Sequence, residues 1–488
     1  MVDQAQTALL DSGFPIFVRG KMLVEPITAE RQAAHDRTTS VTVFAPLVEK
    51  KLAYLLNKHA AVFQRHDQRR KAWVDIDPPG NVAVALLTLR NWQFPEVVGI
   101  IDAPTMRPDG SIVAKFGYDP NTRLWCNSDI ELPKIADKPS RAEAKQALRL
   151  LTDLLSGFPF VSTGDRAVAL AAILSAVLRG AFDVVPLFAI LAHDAGTGKS
   201  FLVDLISTIV TGRPCPVITG SKSVEEMEKR LGALLLEGAF MTSLDNMSCD
   251  IKGDLLAQMV TQICIKTRIL GKSEMPECER CGMLFATGNN IRVVDDMIRR
   301  TLTCNLDAKV ERPEHRKFGF DPIQRVLKDR AAYIAAAITI ARAYMAADQP
   351  RATDMTPLAG FGAWSRMVRE PLLWLGEDDP VASIEKARAS DPERVAAREL
   401  VSRWGQCIGI GKVVSARDII ATAERFSKFR ALLIEQAGTP RGDQIDPVRL
   451  GKLLQTQHGR VYGMLRIDVV SHPGRSNEYV LHQIEDDK

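Results

Sequence analysis

A glycine-rich segment that follows an apolar run is the feature that most restricts how this chain can fold. Residues 187–192 read Leu-Phe-Ala-Ile-Leu-Ala, which has the length and composition of a buried strand. The segment His193-Asp-Ala-Gly-Thr-Gly-Lys-Ser200 follows, and residues 200–210 then have helical spacing that stops at Gly212. A strand, a glycine-rich turn and a helix in this order predict a phosphate-binding loop.

The loop has the residues that hold the phosphates of a nucleotide. Backbone N–H groups at a helix N-terminus lack intrahelical partners and attract anions, and glycine lets the backbone approach them. We expect Lys199 to reach the β- and γ-phosphates and Ser200 to hold Mg²⁺. The usual pattern begins with a glycine six residues before the lysine, where this chain has His193. The competing interpretation is a glycine-rich turn with a stray lysine. The sequence predicts ATP and Mg²⁺ as cofactors, with the nucleotide bound by Asp194, Ala195, Gly196, Thr197, Gly198, Lys199 and Ser200.

Apolar runs and helical stretches alternate beyond the loop. Such alternation is typical of a parallel sheet with helices on both faces, so we expect an α/β fold. The predicted strands are 185–192, 216–219, 238–244, 283–287 and 301–306, and the predicted helices are 200–210, 223–236, 255–265 and 331–347.

Turn-rich and proline-rich stretches divide the chain into five predicted segments. The last of them contains a helix, 447–457, followed by two strands, 460–467 and 478–482, which is the pattern of a winged helix. The segments are a mixed α/β accessory domain (1–138), a helical collar-like segment with helices near 141–156 and 165–178 (139–183), an ATPase domain (184–350), a helical linker (351–390) and the winged-helix domain (391–488).

An acidic residue at the end of a nearby strand is needed to hold the water shell of the metal. Asp245 follows the apolar run of the predicted strand 238–244 and is the candidate. The next position, where most such ATPases have an acidic general base, is Asn246, whose amide can position water but cannot accept its proton. Three explanations remain open: Asp245 acts alone, another carboxylate such as Glu237 helps, or hydrolysis is slow. A strand that simply ends in an Asp-Asn turn is the structural alternative.

A polar strand end and an arginine pair follow in sequence. Phe285-Ala-Thr-Gly-Asn-Asn290 ends a predicted strand, and Asn289 is the candidate to orient the attacking water. Arg299 and Arg300 precede the next strand, and an arginine supplied by a neighbouring subunit can stabilise transition-state charge. A simple turn and a solvated arginine pair are the alternatives.

The order of these motifs resembles that of AAA+ ATPases of superfamily 3 type, found in phage and mobile-element replication proteins and in the helicase part of primase–helicases. The similarity covers roughly residues 70–480 and is most specific between 185 and 315. The similar motifs are Arg107-Pro-Asp-Gly, Gly117-Tyr-Asp-Pro, Thr287-Gly-Asn-Asn, Arg299-Arg-Thr-Leu, Leu306-Asp, Glu311-Arg-Pro, Trp364-Ser-Arg, Trp374-Leu-Gly and Asp379-Pro.

The resemblance implies an AAA+ core in a hexameric ring that pulls single-stranded DNA through its centre, 3′ to 5′. In such rings a hairpin before the polar strand carries a basic residue to the DNA. Residues 267–275 would form this hairpin, with Lys272 at its tip and Arg268 in support; the alternative is an ordinary surface lysine.

The formal net charge of +4 requires any DNA-binding surface to be local. Residues 447–476 hold five basic residues against Asp468 alone, so the predicted winged helix could contact phosphates, or else a protein. Arg449, Lys452 and Arg475 are the candidate contacts. The basic cluster 65–71 could equally touch nucleic acid or be a solvated loop.

Composition argues against a membrane partner. The longest nearly apolar run, 167–178, is too short to span a bilayer and reads as a buried helix. The N-terminus lacks a basic stretch leading into an apolar one, so no signal peptide is expected. Eight cysteines at scattered spacings suggest reduced thiols and a cytoplasmic protein.

Two further motifs are not taken as sites. Asp75 and Asp77 resemble the paired aspartates of a primase, but no histidine follows before His193. Cys278 and Cys281 are a lone pair, whereas structural zinc needs four ligands, so we expect a hairpin turn there rather than a metal site.

The leading hypothesis is an ATP-driven DNA helicase or replication initiator of a phage or mobile element, acting on single-stranded or forked DNA as a homo-hexamer. A primase or polymerase would then be a separate partner. The alternatives are a non-translocating AAA+ initiator or loader that acts as an ATP switch, and a winged-helix DNA-binding protein with a degenerate ATPase.

Overall fold

The computed structural model describes residues 1–59, 63–77, 79–89, 91–221, 223–267, 275–316, 318–350, 355–440, 442–471 and 476–484. The chain divides into two compact units, Met1–Glu385 and Lys386–Lys488.

Helices and strands are labelled in chain order. The helices are α1 (Val2–Asp11), α2 (Glu49–His59), α3 (Gly80–Thr88), α4 (Arg141–Leu154), α5 (Thr163–Val177), α6 (Lys199–Thr211), α7 (Val224–Glu237), α8 (Asp254–Thr261), α9 (Pro322–Lys328), α10 (Arg330–Ala346), α11 (Gly362–Trp364), α12 (Glu370–Leu375), α13 (Ala382–Ser390), α14 (Pro392–Cys407), α15 (Ala416–Ala423), α16 (Ser427–Ala437) and α17 (Pro447–Gln457). Short 3₁₀ turns lie at Arg179–Ala181, Asp295–Arg300 and Pro313–His315, and a π-helical turn at Ser365–Arg369.

The strands of the first unit belong to one large sheet and several small ones. They are β1 (Phe17–Arg19), β2 (Met22–Gln32), β3 (Thr38–Pro46), β4 (Phe63–Asp67), β5 (Ala72–Ile76), β6 (Gly99–Ile101), β7 (Thr105–Met106), β8 (Ile112–Val113), β9 (Gly117–Asp119), β10 (Leu124–Cys126), β11 (Leu187–Ala192), β12 (Val217–Thr219), β13 (Met241–Met247), β14 (Cys264–Lys266), β15 (Glu277–Glu279), β16 (Met283–Asn289) and β17 (Thr301–Leu306). Those of the second unit are β18 (Val413–Ser415), β19 (Val461–Tyr462), β20 (Leu465–Val470) and β21 (Glu478–Gln483).

A five-stranded sheet forms the centre of the first unit. Its order is β12-β13-β16-β11-β17, and every neighbouring pair is parallel. The predicted α/β fold with a parallel sheet is therefore confirmed. β16 lies between β11 and β13, so the polar end of β16 separates the strand before the glycine-rich loop from the strand that carries Asp245.

Helices α5 and α6 are buried along most of their length, because other elements enclose them. Every residue from Ala167 to Leu178 is at most 2% exposed, which confirms the predicted buried helix. The Ser162 side chain caps α5, and Asp165 in its first turn accepts hydrogen bonds from the backbone and side chain of Asn305 on β17, at 2.7 and 3.0 Å. This contact fixes α5 against the edge of the sheet.

The predicted helix 255–265 is wrong in its second half. α8 ends at Thr261, and Cys264–Lys266 form β14, which pairs antiparallel with β15. The ladder with a segment remote in sequence decides the conformation of this short apolar stretch, which periodicity alone does not settle.

The N-terminal region is bonded to the central sheet and its helices through buried or half-buried arginines. Arg19, 3% exposed, donates to the carbonyl oxygens of Leu235 at the end of α7 and of Val98, at 2.8 and 2.5 Å. Arg37 pairs with the buried Asp204 of α6 at 2.5 Å. These contacts explain why residues 1–138 belong to the same compact unit as the sheet.

Much of the segment 351–390, which the sequence assigns to a helical linker, packs into the first unit. The indole of the fully buried Trp364 donates to Ser175 Oγ of α5 at 2.7 Å. Arg369, 1% exposed, makes two hydrogen bonds to Asp379, at 2.8 and 2.5 Å. A buried, two-point ion pair of this kind holds the turn after α12 in place.

The second unit combines four helices with an antiparallel sheet of order β18-β21-β20-β19. Its core includes the fully buried Trp404 and Phe429. The predicted helix 447–457 is α17, with the same bounds. The predicted strand 460–467 is instead divided by a turn at Gly463, whose φ of +64° favours glycine. No helix of the described residues is both long and apolar enough to cross a bilayer.

Candidate nucleotide-binding site

Two glycines shape the loop between β11 and α6. Gly196 and Gly198 have φ of +74° and +99°, which side chains rarely adopt. A Cβ added to Gly196 would also lie 3.3 Å from Glu314 Oε2. The sequence therefore places glycine where backbone conformation requires it, and the loop leads directly into the N-terminus of α6 at Lys199.

The amino group of Lys199 is held above the loop by three oxygen atoms. Nζ donates to the carbonyl of Asp194 at 2.9 Å, to Thr197 Oγ1 at 3.3 Å and to Asn289 Oδ1 at 2.5 Å. Burial lowers the pKa of Lys199, and the nearby carboxylates of Asp245 and Asp194 oppose that shift. The loop lysine and the polar strand end, which are 90 residues apart in sequence, therefore meet directly.

Ser200, Asp245 and Thr287 form a hydrogen-bonded group beside the lysine. Ser200 Oγ and Thr287 Oγ1 both donate to Asp245 Oδ1, at 2.9 and 2.6 Å. The sequence motifs do not single out Thr287 as a site residue, although its hydroxyl inside the apolar strand 283–287 is a visible signal. Its side chain is 1% exposed and fixes the orientation of the carboxylate.

This group fits Mg²⁺ by its chemistry. Mg²⁺ prefers oxygen ligands and commonly takes one or two protein carboxylates or hydroxyls, completing its shell with phosphate and water. Ser200 Oγ and Asp245 Oδ1 supply such a pair. No cluster of three or more His, Cys, Asp or Glu side chains suited to a metal occurs among the described residues, so a site made only of protein ligands is not found there.

Asn246 lies in an irregularity of β13. The register between β13 and β16 shifts between Leu244 and Met247, and Asn246 has φ of +49°. Its backbone N–H donates to Thr287 Oγ1 at 3.1 Å, while the side chain is exposed. The structure thus presents the amide of Asn246 to solvent next to Asp245.

Glu237 is not placed to assist Asp245. It ends α7, before β13 begins, and its carboxylate pairs with Arg31 at 2.7 Å. Asp245 lies near the other end of β13, the end that is remote from Glu237. The sequence-based suggestion that Glu237 supplies a second carboxylate is therefore wrong, because the length of β13 separates the two carboxylates and Glu237 is paired with Arg31.

His193, which replaces the usual first glycine, contacts the neighbouring strand end. Its Nδ1 donates to Asn290 Oδ1 at 2.8 Å, and Asn290 Nδ2 donates to the His193 carbonyl at 3.3 Å. Asn289 and Asn290 therefore make different contacts, one to Lys199 and the other to the start of the loop. The pairing of His193 with Asn290 could not be predicted, because it depends on β11 and β16 being neighbours.

An aromatic recess borders the loop at Thr197 and Gly198. Phe158 and Phe201 pack with ring centroids 6.0 Å apart, next to Thr197 and Gly198. The guanidinium of Arg316 lies 5.2 Å from the ring centroid of Phe318, which is 58% exposed. Flat, partly exposed rings beside a phosphate-binding loop can stack on a planar heteroaromatic group.

Arg299 and Arg300 lie away from the loop of their own chain. Thr301, the next residue, pairs with Leu187 at the start of β11, whereas the loop follows Ala192 at its end. At about 3.3 Å per residue, these two levels of the sheet are roughly 17 Å apart. Both arginines pair with Asp296, and Arg299 is 48% exposed whereas Arg300 is 12% exposed.

The candidate DNA contacts are only partly described. Arg268 and Lys272 lie within 268–274 and Arg475 within 472–475, which are outside the described residues. β14 and β15, on either side of 268–274, pair antiparallel. Arg449 and Lys452 lie on exposed positions of α17, and Arg449 also donates to the Gly438 carbonyl at 2.7 Å.

The cysteine pair differs from its prediction. Cys278 is in the middle of β15, paired with Ile265, and not in a turn. Both Cys278 and Cys281 are buried. A Cβ on Gly20 would lie 2.5 Å from Cys278 Sγ, and one on Gly99 would lie 2.5 Å from Cys281 Cβ. The cysteines fill space between β15 and the N-terminal region, where a larger side chain would clash.

No family model matches the chain, and no curated protein matches it. The chain is similar to the apo structure of the NrS-1 C-terminal region, with 12% identity, 98% of each chain covered and a TM-score of 0.42. It is similar to SCCmec type IV Cch, described as an active helicase, with 12% identity, 96% and 97% coverage and a TM-score of 0.37. It is also similar to JCV helicase, with 11% identity, 51% and 74% coverage and a TM-score of 0.21. The parallel α/β fold rests on the sheet of this chain rather than on these distant similarities.

Proposed function

We propose that this protein is an AAA+ ATPase that drives a DNA helicase or replication initiator of a phage or mobile element. One observation carries the proposal: the loop, the acidic strand and the polar strand end meet at one edge of the sheet, through Lys199–Asn289 and Ser200–Asp245 contacts of 2.5 and 2.9 Å. A turn with a stray lysine would not bring these groups together.

Each residue has a distinct role in this proposal. Lys199 and the N–H groups of 194–200 hold the phosphates of ATP, because they supply positive charge and free donors. Ser200 and Asp245 hold Mg²⁺, which neutralises phosphate charge when bound, and Thr287 keeps the carboxylate oriented. Asn289 and Asn246 position the attacking water.

The aromatic recess would receive the base. Phe158 and Phe201 lie beside Thr197 and Gly198, next to the loop that would hold the phosphates, so a base attached to those phosphates could reach them. Burial of a flat ring against aromatic side chains contributes affinity without a formal charge.

The arginine pair supports a site shared between subunits. Arg299 cannot reach the loop of its own chain across roughly 17 Å of sheet, yet it is half exposed. In a homo-hexameric ring the same arginine would face the nucleotide of the next subunit. The basic residues Arg268 and Lys272, and Arg449, Lys452 and Arg475 of the proposed winged helix, would contact single-stranded or forked DNA.

The central test compares wild type with Lys199→Ala in two assays, DNA-stimulated ATP hydrolysis and unwinding of a forked duplex. We expect the variant to lose both, because the phosphates lose their principal cation. Lys145→Ala, an exposed lysine of α4, is the matched control and should behave as wild type. Equal activity of Lys199→Ala and wild type would refute the proposal.

A second candidate, a non-translocating ATP switch such as a loader or an initiator, is favoured by Asn246. Its amide occupies the position beside Asp245 where a general base would stand, so hydrolysis would be slow. ATP-dependent DNA binding without unwinding would select this candidate. Failure to bind nucleotide at all would favour a DNA-binding protein with a degenerate ATPase.

A further inference from the structure

A two-stranded ribbon in the N-terminal region projects cationic side chains into solvent. β4 and β5 pair from Phe63↔Ile76 to Asp67↔Ala72, and a tight turn joins them at 68–71. Phe63 is 2% exposed and packs with Ile76 in the core formed by α1, α2 and α3. The base of the ribbon is therefore anchored, while the residues beyond it are mostly exposed.

The tip of the ribbon has a net positive charge. Residues 65–71 contain one carboxylate, Asp67, and four cationic side chains, those of Arg65, Arg69, Arg70 and Lys71. That carboxylate accepts hydrogen bonds from the backbone N–H groups of Arg69 and Arg70, at 2.8 and 3.2 Å. Asp67 thus stabilises the turn, and the Arg70 side chain next to it remains 75% exposed.

One face of the ribbon carries an exposed tryptophan. Trp73 is 65% exposed, although tryptophan is usually well buried. It lies directly opposite His66, and the two rings meet edge to face with centroids 5.6 Å apart. On the same face, Gln64 donates to Asp75 Oδ1 at 3.0 Å, so that carboxylate has a partner within the ribbon. The indole is therefore held by its neighbour while one side stays open.

From these features we propose that the ribbon is a binding site for single-stranded nucleic acid, separate from the nucleotide site and from the predicted hairpin at 267–275. An unpaired base stacks on Trp73, and neighbouring phosphates pair with Arg69, Arg70 and Lys71 at the tip. Aromatic rings beside a cationic strip are the combination that binds single strands with little sequence preference. Base pairs in a duplex are already stacked and offer no free face to the indole, so a single strand is preferred.

Single-strand binding at the ribbon is independent of ATP hydrolysis. Binding at the ribbon requires neither Lys199 nor Asp245, so it is measured without nucleotide and also in the Lys199→Ala protein. A wild-type protein that binds single strands at the ribbon but has no ATPase activity would refute the proposed function alone. Retained ATPase activity with no contribution from the ribbon would refute this inference alone.

The experiment measures binding of fluorescent oligothymidine and oligouridine to the full chain by anisotropy over a series of salt concentrations. Trp73→Ala should weaken binding by about tenfold, because the stacked base loses its aromatic partner. Trp73→Phe should restore most of the affinity. The triple variant Arg69→Ala, Arg70→Ala and Lys71→Ala should lower the slope of log affinity against log salt by about 2. The ratio of the two oligonucleotides shows whether DNA or RNA is preferred.

Matched controls separate the site from general effects. Tyr54→Ala removes another exposed aromatic ring, and the triple variant Lys115→Ala, Lys145→Ala and Arg149→Ala removes the same charge elsewhere. Both should bind as wild type. Thermal unfolding of every ribbon variant should match wild type, because the altered side chains are exposed.

Two results would overturn the proposal. One is wild-type affinity in both Trp73→Ala and the triple tip variant. The other is a tip variant that loses the same affinity for single strands and for a duplex, together with an unchanged affinity in Trp73→Ala. That result would indicate nonspecific electrostatic binding.

Discussion

At the scale of single residues, the position of Thr287 shows how a buried hydroxyl can orient a carboxylate that is proposed to bind Mg²⁺. Thr287 Oγ1 donates to Asp245 at 2.6 Å and accepts from the backbone N–H of Asn246 at 3.1 Å. It thereby connects the acidic residue to the irregular turn after it. A side chain of the same shape without the hydroxyl would leave both partners unsupported.

We expect Thr287→Val to raise the Mg²⁺ concentration needed for half-maximal ATP hydrolysis by several-fold and to lower the free energy of unfolding by about 1–3 kcal/mol, since a buried N–H loses its acceptor. Titration of Mg²⁺ and urea unfolding would measure the two effects. Thr242→Val is the matched control: its hydroxyl, on β13, is buried and has no hydrogen-bond partner among the described residues, so stability should not fall. An unchanged Mg²⁺ requirement in Thr287→Val would contradict the role.

Site residues could be predicted where a local pattern determines them. The glycines of the loop, Lys199 and Asp245 follow from short motifs whose conformation is set by neighbours in sequence. The hydroxyl of Thr287 is visible in its apolar strand, but its contact with Asp245 depends on which strands lie side by side. The pairing of His193 with Asn290 depends on the same kind of information. The mistaken role for Glu237 has the same origin, since the direction of β13 separates it from Asp245.

At the scale of elements, the strand β15 is attached to the N-terminal region by an ion pair. Arg123, which has φ of +56°, makes two hydrogen bonds to Glu279, at 2.7 and 2.6 Å. Glu279 is the last residue of β15, which pairs with β14 beside the segment 268–274. Both side chains are partly exposed, so the pair contributes little to stability. Its importance lies in fixing the position of β15.

Arg123→Ala should leave ATP hydrolysis without DNA within about twofold of wild type and reduce the stimulation by DNA several-fold, because the strand next to the proposed DNA hairpin is no longer held. Exchange of the two charges, Arg123→Glu with Glu279→Arg, should recover part of the stimulation. Glu96→Ala is the control, since Glu96 is 70% exposed and lies 3.5 Å from Arg123. ATPase assays with and without single-stranded DNA make the comparison. Full stimulation in Arg123→Ala would exclude this role.

Elements with a strong internal pattern are predictable from the sequence. The strand 301–306 and the helix 447–457 have the same bounds in the structure, because an apolar run and a capped helix are both local signals. The end of α8 and the start of β14 are not determined by a local sequence signal. Ile265 has an apolar side chain in either conformation, and only the pairing with Cys278 selects a strand.

At the scale of the whole molecule, the proposed sharing of the nucleotide site between subunits has a consequence for mixtures of two inactive variants. Arg299, which is half exposed, is the better candidate for contact with a neighbour, whereas Arg300 is largely buried and paired with Asp296. Removal of a shared arginine costs about 10³ to 10⁵ in turnover in ATPases of this mechanism.

Arg299→Ala and Lys199→Ala should each abolish ATP hydrolysis alone, yet a mixture of the two should recover part of it. Some neighbouring pairs then combine an intact loop with an intact arginine. Hydrolysis measured across mixing ratios, at fixed total protein, is the test, and Lys199→Ala mixed with Lys199→Ala,Arg299→Ala is the control without recovery. Arg300→Ala should lower the thermal unfolding temperature instead. No recovery at any ratio would argue for a site contained within one chain.

The position of β16 has a mechanical consequence. Its ladder bonds on both sides, to β11 and β13, prevent it from sliding, so Asn289 stays at a fixed height above Lys199. Only Arg280, Cys281 and Gly282 connect β16 to β15. A Cβ on Gly282 would lie 2.4 Å from the Ala239 carbonyl, so this joint is closely packed. In the proposed mechanism, a movement of the β14–β15 pair relative to β16 would bend the chain at these three residues, which would limit how far the proposed DNA hairpin can move relative to the candidate nucleotide site.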